Sequence, residues 1–289
     1  MARVVAYRTN GANGVGFLEG EEILEVPQDA GGGDLSGALR SGGEGAVERL
    51  RSAAATGARR RLGEVRLGAP IVHPSKVVCV GHNYSEHATE TGSAAPAEPL
   101  IFAKLPSAII GPTDAIRLPA AAPRRVDYEA ELAVIIGRPG RDIPEGGAME
   151  HVLGYTVAND VTARDWQVKK PGGQWLLGKS FDTFLPLGPW LVTADEVPDV
   201  GRLRITCTIG GETLQDDTVE HMIFSIPQLI SYVSRVATLL PGDVLLTGTP
   251  AGIGSSRTPP RWLGVGDLVE TAISGIGTMA NPVSEAEAR

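Results

Sequence analysis

One stretch limits what this chain can fold into more than any other: Arg125-Val126-Asp127-Tyr128-Glu129-Ala130-Glu131-Leu132-Ala133-Val134-Ile135-Ile136. Apolar residues alternate through Val126, Tyr128, Ala130, Leu132 and Val134, which is the period of a strand. Successive strand side chains point to opposite faces, so Asp127, Glu129 and Glu131 are expected together on the other face. The run then enters Ala133-Val134-Ile135-Ile136, which reads as core. Two readings stay open at this point. The acids either keep a solvated face soluble, or stand at the mouth of a buried strand and need a counter-charge, of which a divalent cation is the simplest. Asp127, at the strand's entrance, is expected to be free to face solvent.

The chain has 289 residues, enough for one large domain or for a large and a small one. A chain of this size buries enough surface to need no disulfide. Its two cysteines, Cys79 and Cys207, lie in apolar strand-like runs and read as small core residues. A net charge of −8 without any long basic run disfavours nucleic acid. No apolar run approaches the ~20 residues of a membrane span. Met1 to Tyr7 shows no secretory h-region, so a cytoplasmic location is expected.

Residues 1–70 read as a small N-terminal unit and 71–289 as the main domain. In the first, strands are predicted over Arg3 to Tyr7, Val15 to Leu18 and Glu22 to Val26. A loosely spaced hairpin is predicted at Asn13-Gly14 and an Arg-rich helix over Gly45 to Leu62. In the second, Lys76 to Val80 and Leu100 to Lys104 are predicted strands flanking a polar segment. Two helical turns in that segment put His87 and Glu90 at i, i+3, and Ser93 to Pro99 is a loop, so the whole is a lid candidate. Val152 to Asp160 is an apolar run ending on an acid. Arg202 to Ile209 and Glu212 to Leu214 frame a hairpin at Gly210-Gly211. Ile226 to Leu240 is the clearest helix, with a Ser225/Gln228 capping box and a Pro241-Gly242 stop. Short strands dominate and no βαβ alternation is present, so a mixed, β-rich architecture follows.

Four groups carry chemistry. Glu129, Glu131 and Asp160 offer hard oxygen ligands that suit magnesium, or manganese in its place, and no Cys or His pattern offers a zinc alternative. A carboxylate at Glu90 would orient His87 as a base, although by spacing alone such a pair on a surface helix is far more often a solvated one. Lys179 follows an apolar run and reads either as a cavity-edge cation or as a turn lysine. Gly248-Thr249-Pro250-Ala251-Gly252-Ile253-Gly254 lacks the Lys-Ser/Thr of a phosphate loop, which leaves its Thr hydroxyl and backbone N–H groups suited to a small carboxylate, and no serine sits in a nucleophile elbow.

Five motifs occur in order: Val80-Gly81-His82-Asn83-Tyr84-Ser85-Glu86-His87, Asp127-Tyr128-Glu129-Ala130-Glu131-Leu132, Asn159-Asp160-Val161-Thr162-Ala163-Arg164-Asp165, Gly178-Lys179-Ser180-Phe181-Asp182 and Thr247-Gly248-Thr249-Pro250. Together they closely resemble the fumarylacetoacetate hydrolase family, over roughly residues 73–283. The resemblance implies an α+β, β-rich fold, a mixed β-sheet roll with a small N-terminal domain, usually as a homodimer. It implies one divalent metal, Mg²⁺ or Mn²⁺ with Ca²⁺ as a further option, held by Glu129, Glu131 and Asp160. It implies a catalytic set of His87, Glu90 and Lys179, and substrate contacts from Arg164, Gln167 and Thr249. His82 stands where the family varies and is not made catalytic.

The activity expected from the resemblance is hydrolysis of a C–C bond in a 2,4-dioxo acid of acylpyruvate or fumarylpyruvate type. The His87–Glu90 dyad would activate water, and the metal would stabilise an enolate. The alternatives it implies are an isomerase or decarboxylase of 2-oxo dicarboxylic acids, resembling 2-hydroxyhepta-2,4-diene-1,7-dioate isomerase or oxaloacetate decarboxylase, or a ureidoglycolate lyase-like activity. A role in aromatic catabolism is part of that expectation. The part of the substrate beyond its 2-oxo acid head is expected to meet residues 93–99, 168–175 and 255–262.

Overall fold

The computed structural model describes residues 3–9, 11–122 and 124–286; Met1 and Ala2, which open the N-terminal stretch read above, lie outside them. The fold is α+β and strand-rich, built on a twelve-stranded mixed sheet. Its path runs Arg59–Arg61, Glu22–Glu25, Ala12–Glu19, Arg3–Thr9, Leu185–Thr193, Val152–Asn159, Ala130–Ile136, Val244–Leu246, Val77–Gly81, Leu100–Lys104. A five-stranded sheet (Glu212–Thr218, Arg204–Ile209, Leu268–Ile273, Gly277–Glu285, Ile116–Leu118) packs against it. The first strand, Arg3–Thr9, pairs antiparallel with Leu185–Thr193, so the N-terminal strands belong to the same large sheet.

Every residue of Ala130–Ile136 is buried. The strand lies between Val152–Asn159 and Val244–Leu246, and its Leu132, Val134, Ile135 and Ile136 are fully enclosed. Burying each such side chain stabilises the fold by about 1.5–3 kcal/mol, which anchors this strand as the centre of the core.

The continuous strand predicted from Arg125 onward is in fact broken. Val126–Asp127 pairs with Thr162–Ala163 in a separate two-stranded sheet, and regular pairing in the large sheet resumes at Ala130. The alternation is real, but the backbone turns between the two pieces. Asp127 is therefore fully buried, not at a solvated entrance. It accepts hydrogen bonds from the N–H groups of Gly254 (2.7 Å) and Ser255 (2.9 Å). A Cβ on Gly254 would run into that carboxylate and the Arg261 carbonyl, so only glycine fits this approach.

Three other expectations shift. The helix at Ile226 has its capping box, with the Ser225 N–H donating to Gln228 Oε1 at 2.8 Å, but it ends at Ser234. The Ser234 carbonyl accepts from the Asp142 N–H, and Leu239 pairs with Gly140, so packing draws the chain out of the helix before Pro241. The Arg-rich helix spans only Ala46–Ala54. Arg59–Arg61 becomes an edge strand whose arginines face Glu22 and Glu25, and the Arg59–Glu22 pair closes to 2.9 Å. Asn13 and Gly14 lie inside a strand, and the bend falls at Gly11 (φ 81°); Gly14 leaves room for the Tyr7 ring. Cys79 and Cys207 are buried free thiols.

Leu132→Ala is expected to lower the unfolding free energy by about 2–5 kcal/mol, read from the midpoint of guanidinium denaturation at unchanged m-value.

Candidate metal centre and active site

Register brings the acids together. Ala130 pairs with Asn159, and the Asp160 N–H donates to the Glu129 carbonyl at 2.8 Å, so both strand ends deliver acids to one point. Glu129, Glu131 and Asp160 each place one carboxylate oxygen within 4.8 Å of the others, and all three are buried. Such a hard-oxygen set fits a magnesium-type cation, which takes a few carboxylates and keeps open positions.

The surrounding charges are nearly all internal. Lys179 Nζ donates to Glu129 Oε2 (2.8 Å), Asp160 Oδ2 (2.6 Å) and Thr162 Oγ1 (3.0 Å), which occupies its three N–H groups. Lys104 Nζ donates to Asp160 Oδ1 at 2.6 Å and to the Val161 carbonyl at 3.1 Å. Arg164 Nη2 lies 2.8 Å from Asp127 and 2.7 Å from Glu129, and its Nη1 donates to Gln167 Oε1 at 2.9 Å. Four buried carboxylates thus meet three cations. Glu131 is the acid without an ion-pair partner among the described residues; its carboxylate accepts the Gly248 N–H at 2.8 Å.

Titration behaviour follows from that arrangement. Burial pushes Glu129 up, but Lys179 and Arg164 outweigh it and hold the carboxyl down at about 2. Glu131 is raised well above the usual glutamate value, first by burial and then by the charges of Asp160 and Glu129. Burial lowers Lys104, against the pull of Asp160. A cation placed among the three acids would supply the charge that Glu131 lacks, so the residues present fit the ion.

His87 and Glu90 share the short helix Ser85–Glu90. His87 Nδ1 lies 2.8 Å from Glu90 Oε1, and the other carboxylate oxygen of Glu90 accepts the Gly252 N–H at 3.0 Å. An ionised carboxylate only accepts, so the proton sits on Nδ1 and Nε2 keeps its lone pair. The root of this helix is fixed by Asn83, which donates to the Phe224 and Thr247 carbonyls (3.1 and 2.8 Å) and accepts the Phe224 N–H (2.8 Å).

A cavity of about 540 Å³ opens over the cluster. His87, Glu129, Glu131, Arg164, Gln167, Lys179 and Thr249 all line it. Thr249 is turned inward, however: its hydroxyl donates to the Ala130 carbonyl (2.9 Å) and accepts from Gln215 Nε2 (2.8 Å). The expected outer loops contribute Ser93, Lys169, Trp175, Ser255, Pro260 and Trp262. His82 also lines the cavity, its ring stacked 5.5 Å from that of His87 at 19°.

Sequence reasoning passed over Lys104, Gln215 and the inward role of Asp127. Lys104 had a signal, a lysine closing the apolar strand Leu100–Lys104 just before Leu105.

A strand-rich fold closed around a three-carboxylate cluster defines a class of divalent-metal enzymes. Residues 76–284 match the family described as Fumarylacetoacetate (FAA) hydrolase C-terminal, and the chain belongs to the fumarylacetoacetate hydrolase family, whose members commonly bind divalent metals. It is 51% identical over 219 residues to oxaloacetate tautomerase fahd2, mitochondrial, of Xenopus laevis, covering 76% of this chain and 68% of the relative. It is 50% identical over 220 residues to oxaloacetate tautomerase FAHD2A, mitochondrial, of Homo sapiens, covering 76% and 70%. The crystal structure of 2-hydroxyhepta-2,4-diene-1,7-dioate isomerase from Mycobacterium marinum superposes with a TM-score of 0.80 at 37% identity, over 100% of both chains.

These relatives overturn two expectations. Their names state tautomerisation and isomerisation, so C–C hydrolysis gives way to the proton-transfer alternative; a His–Glu dyad moves protons equally well with or without an attacking water. A role in aromatic catabolism gains no support from the curated relatives. The cytoplasmic expectation is corrected as well, because both curated relatives are named mitochondrial. Among the described residues, no helix is long and apolar enough to cross a membrane.

Two outcomes test the charge balance. Metal-free protein should lose stability as pH rises above the ordinary glutamate value of 4.5, because Glu131 keeps its proton in the fold longer than in the unfolded chain. Glu129 contributes no slope there, being ionised in both states. Glu131→Gln should remove that slope in urea titrations across pH. The same variant should match or exceed wild type in metal-free melting temperature, yet lose the upward shift that magnesium gives wild type in a thermal melt.

Proposed function

We propose that this protein is a magnesium-dependent tautomerase of 2-oxo dicarboxylic acids, with oxaloacetate as the first substrate to test. The observation that carries the reading is His87, paired with Glu90, in the wall of the cavity over the acid cluster. It occurs in a chain 51% identical, over 76% of its length, to an oxaloacetate tautomerase.

Glu129, Glu131 and Asp160 would hold the ion, which supplies Lewis acidity to the 2-oxo group and so acidifies the neighbouring C3–H. His87 Nε2 then takes the C3 proton. The C–H electron pair becomes the C2–C3 double bond, and the 2-oxo oxygen gains the proton that His87 returns. Glu90, fixed by Gly252, holds the imidazole in the tautomer that leaves Nε2 free and offsets the charge His87 carries between the two transfers. Lys179 acts chiefly as the counter-charge to Glu129 and Asp160, both of which its ammonium touches. Apolar walls at Phe102, Trp175 and Trp262 keep bulk water from the transferred proton.

The direct test follows the enol absorbance of oxaloacetate with magnesium present, with pyruvate assayed in parallel. Enol–keto interconversion faster than the buffer rate, without matching pyruvate release, is the expected result. Pyruvate appearing at the rate of enol loss would make the protein a decarboxylase instead. His87→Ala is expected to lower the tautomerase rate by about 10²–10⁴, with Glu90→Gln falling between that and wild type.

A further inference from the structure

A dicarboxylic substrate brings a second negative charge into the cavity, and the inner wall has little left to meet it. The basic side chains lining the cavity are His82, His87, Arg125, Arg164, Lys169 and Lys179. Lys179 and Arg164 are held by Glu129, Asp160 and Asp127, and His87 by Glu90. His82 faces Thr91 Oγ1 at 3.3 Å, and burial together with the charge of His87 lowers its basicity. That hydroxyl donates to the His87 and Ala88 carbonyls, so toward His82 it accepts: the imidazole proton lies on Nδ1 and no cation faces the ligand.

Arg125 and Lys169 remain. Both approach the same oxygen of one acid: Arg125 Nε lies 3.6 Å and Lys169 Nζ 3.4 Å from Asp165 Oδ1. Neither pair is closed tightly, and the two side chains are 46% and 57% exposed, so as structural ion pairs they contribute little. Two cations against one carboxylate leave a net positive charge at the rim. Arg125 is also tied to the inner site, because its carbonyl accepts the N–H of Arg164 at 2.9 Å, the residue whose side chain grips Glu129. The cavity lining also includes the apolar Phe102, Val168, Trp175, Ile253 and Trp262, which offer no charge.

We propose that Arg125 and Lys169, held side by side by Asp165, form the subsite for the second carboxylate of the substrate and select dicarboxylic over monocarboxylic 2-oxo acids. The metal-facing end of the ligand rests on the reading given under Proposed function. The subsite does not, since it recognises the far end by charge alone. The guanidinium offers its fork of N–H donors and the ammonium a point charge, a combination suited to a carboxylate arriving at the end of a short chain.

The test is calorimetric binding of malate and lactate to magnesium-loaded protein. Both carry a 2-hydroxy-carboxylate head, and they differ in the distal carboxylate. Wild type is expected to bind malate about tenfold more tightly than lactate or better. Arg125→Gln and Lys169→Gln should each reduce that ratio, and the double variant should bring it to about one with lactate affinity unchanged. Lys169→Arg should retain it. Both side chains are exposed, and circular dichroism verifies that the variants fold. A double variant that keeps the malate preference, or that loses malate and lactate equally, overturns the subsite; so does a wild type that does not prefer malate. Oxaloacetate turnover by wild type is scored separately. A collapsing malate ratio in a protein without turnover would uphold the subsite and remove the tautomerase reading.

Discussion

The structure depends on four carboxylates packed together where water cannot reach them. Asp127, Glu129, Glu131 and Asp160 are each no more than 5% exposed. Carboxylates this far from solvent persist only with partners. Lys104, Lys179 and Arg164 supply three charges, and the Gly248, Gly254 and Ser255 N–H groups supply hydrogen bonds. The set falls one positive charge short. A divalent ion would turn that deficit into an excess of one, and an anionic head group would then restore the balance. The site's affinity for a cation and its affinity for an oxo acid are in this sense two sides of one charge account.

The acid cluster was legible because its members sit in short, ordered motifs, and because acids next to a run such as Ala133-Val134-Ile135-Ile136 demand a physical reason. The dominance of short strands, the hairpin at Gly210-Gly211 and the Ser225 cap were legible for equally local reasons. Asp127 was misread because alternation alone cannot show that a backbone turns between Asp127 and Ala130. The end of the Ile226 helix was misread because Gly140 and Asp142, nearly a hundred residues earlier, take over its last hydrogen bonds. Lys104 escaped because a lysine ending a strand usually reaches for water, whereas this one reaches inward to Asp160. The chemistry was the least legible part: a metal, a His–Glu pair and a lysine are common to hydrolysis and tautomerisation, and residue identity does not say whether a water stands in line.

The cavity's lining falls into two chemical sets. Its inner half carries paired charge and fixed hydrogen bonds, with Thr249, Gln167 and Lys179 all satisfied by neighbouring protein groups. Its outer half is aromatic and apolar, with hydroxyls and loosely held cations from residues 93–99, 125, 168–175 and 255–262. Arg164, Gln167 and Lys179 stand on short helices and Glu131 on a central strand, whereas Lys169, Pro260 and Trp262 stand on loops.

The pairing of Arg3–Thr9 with Leu185–Thr193 has a consequence for how the chain can be divided. Leu185–Thr193 is also the neighbour of Val152–Asn159, the strand that leads into Asp160. Excising the first seventy residues would not detach an appendage. It would bare the hydrogen-bonding edge of Leu185–Thr193, next to the strand that leads into Asp160, and invite another polypeptide to stitch onto it. The amino-terminal segment thus serves as the selvedge of the fabric into which the clustered acids are woven.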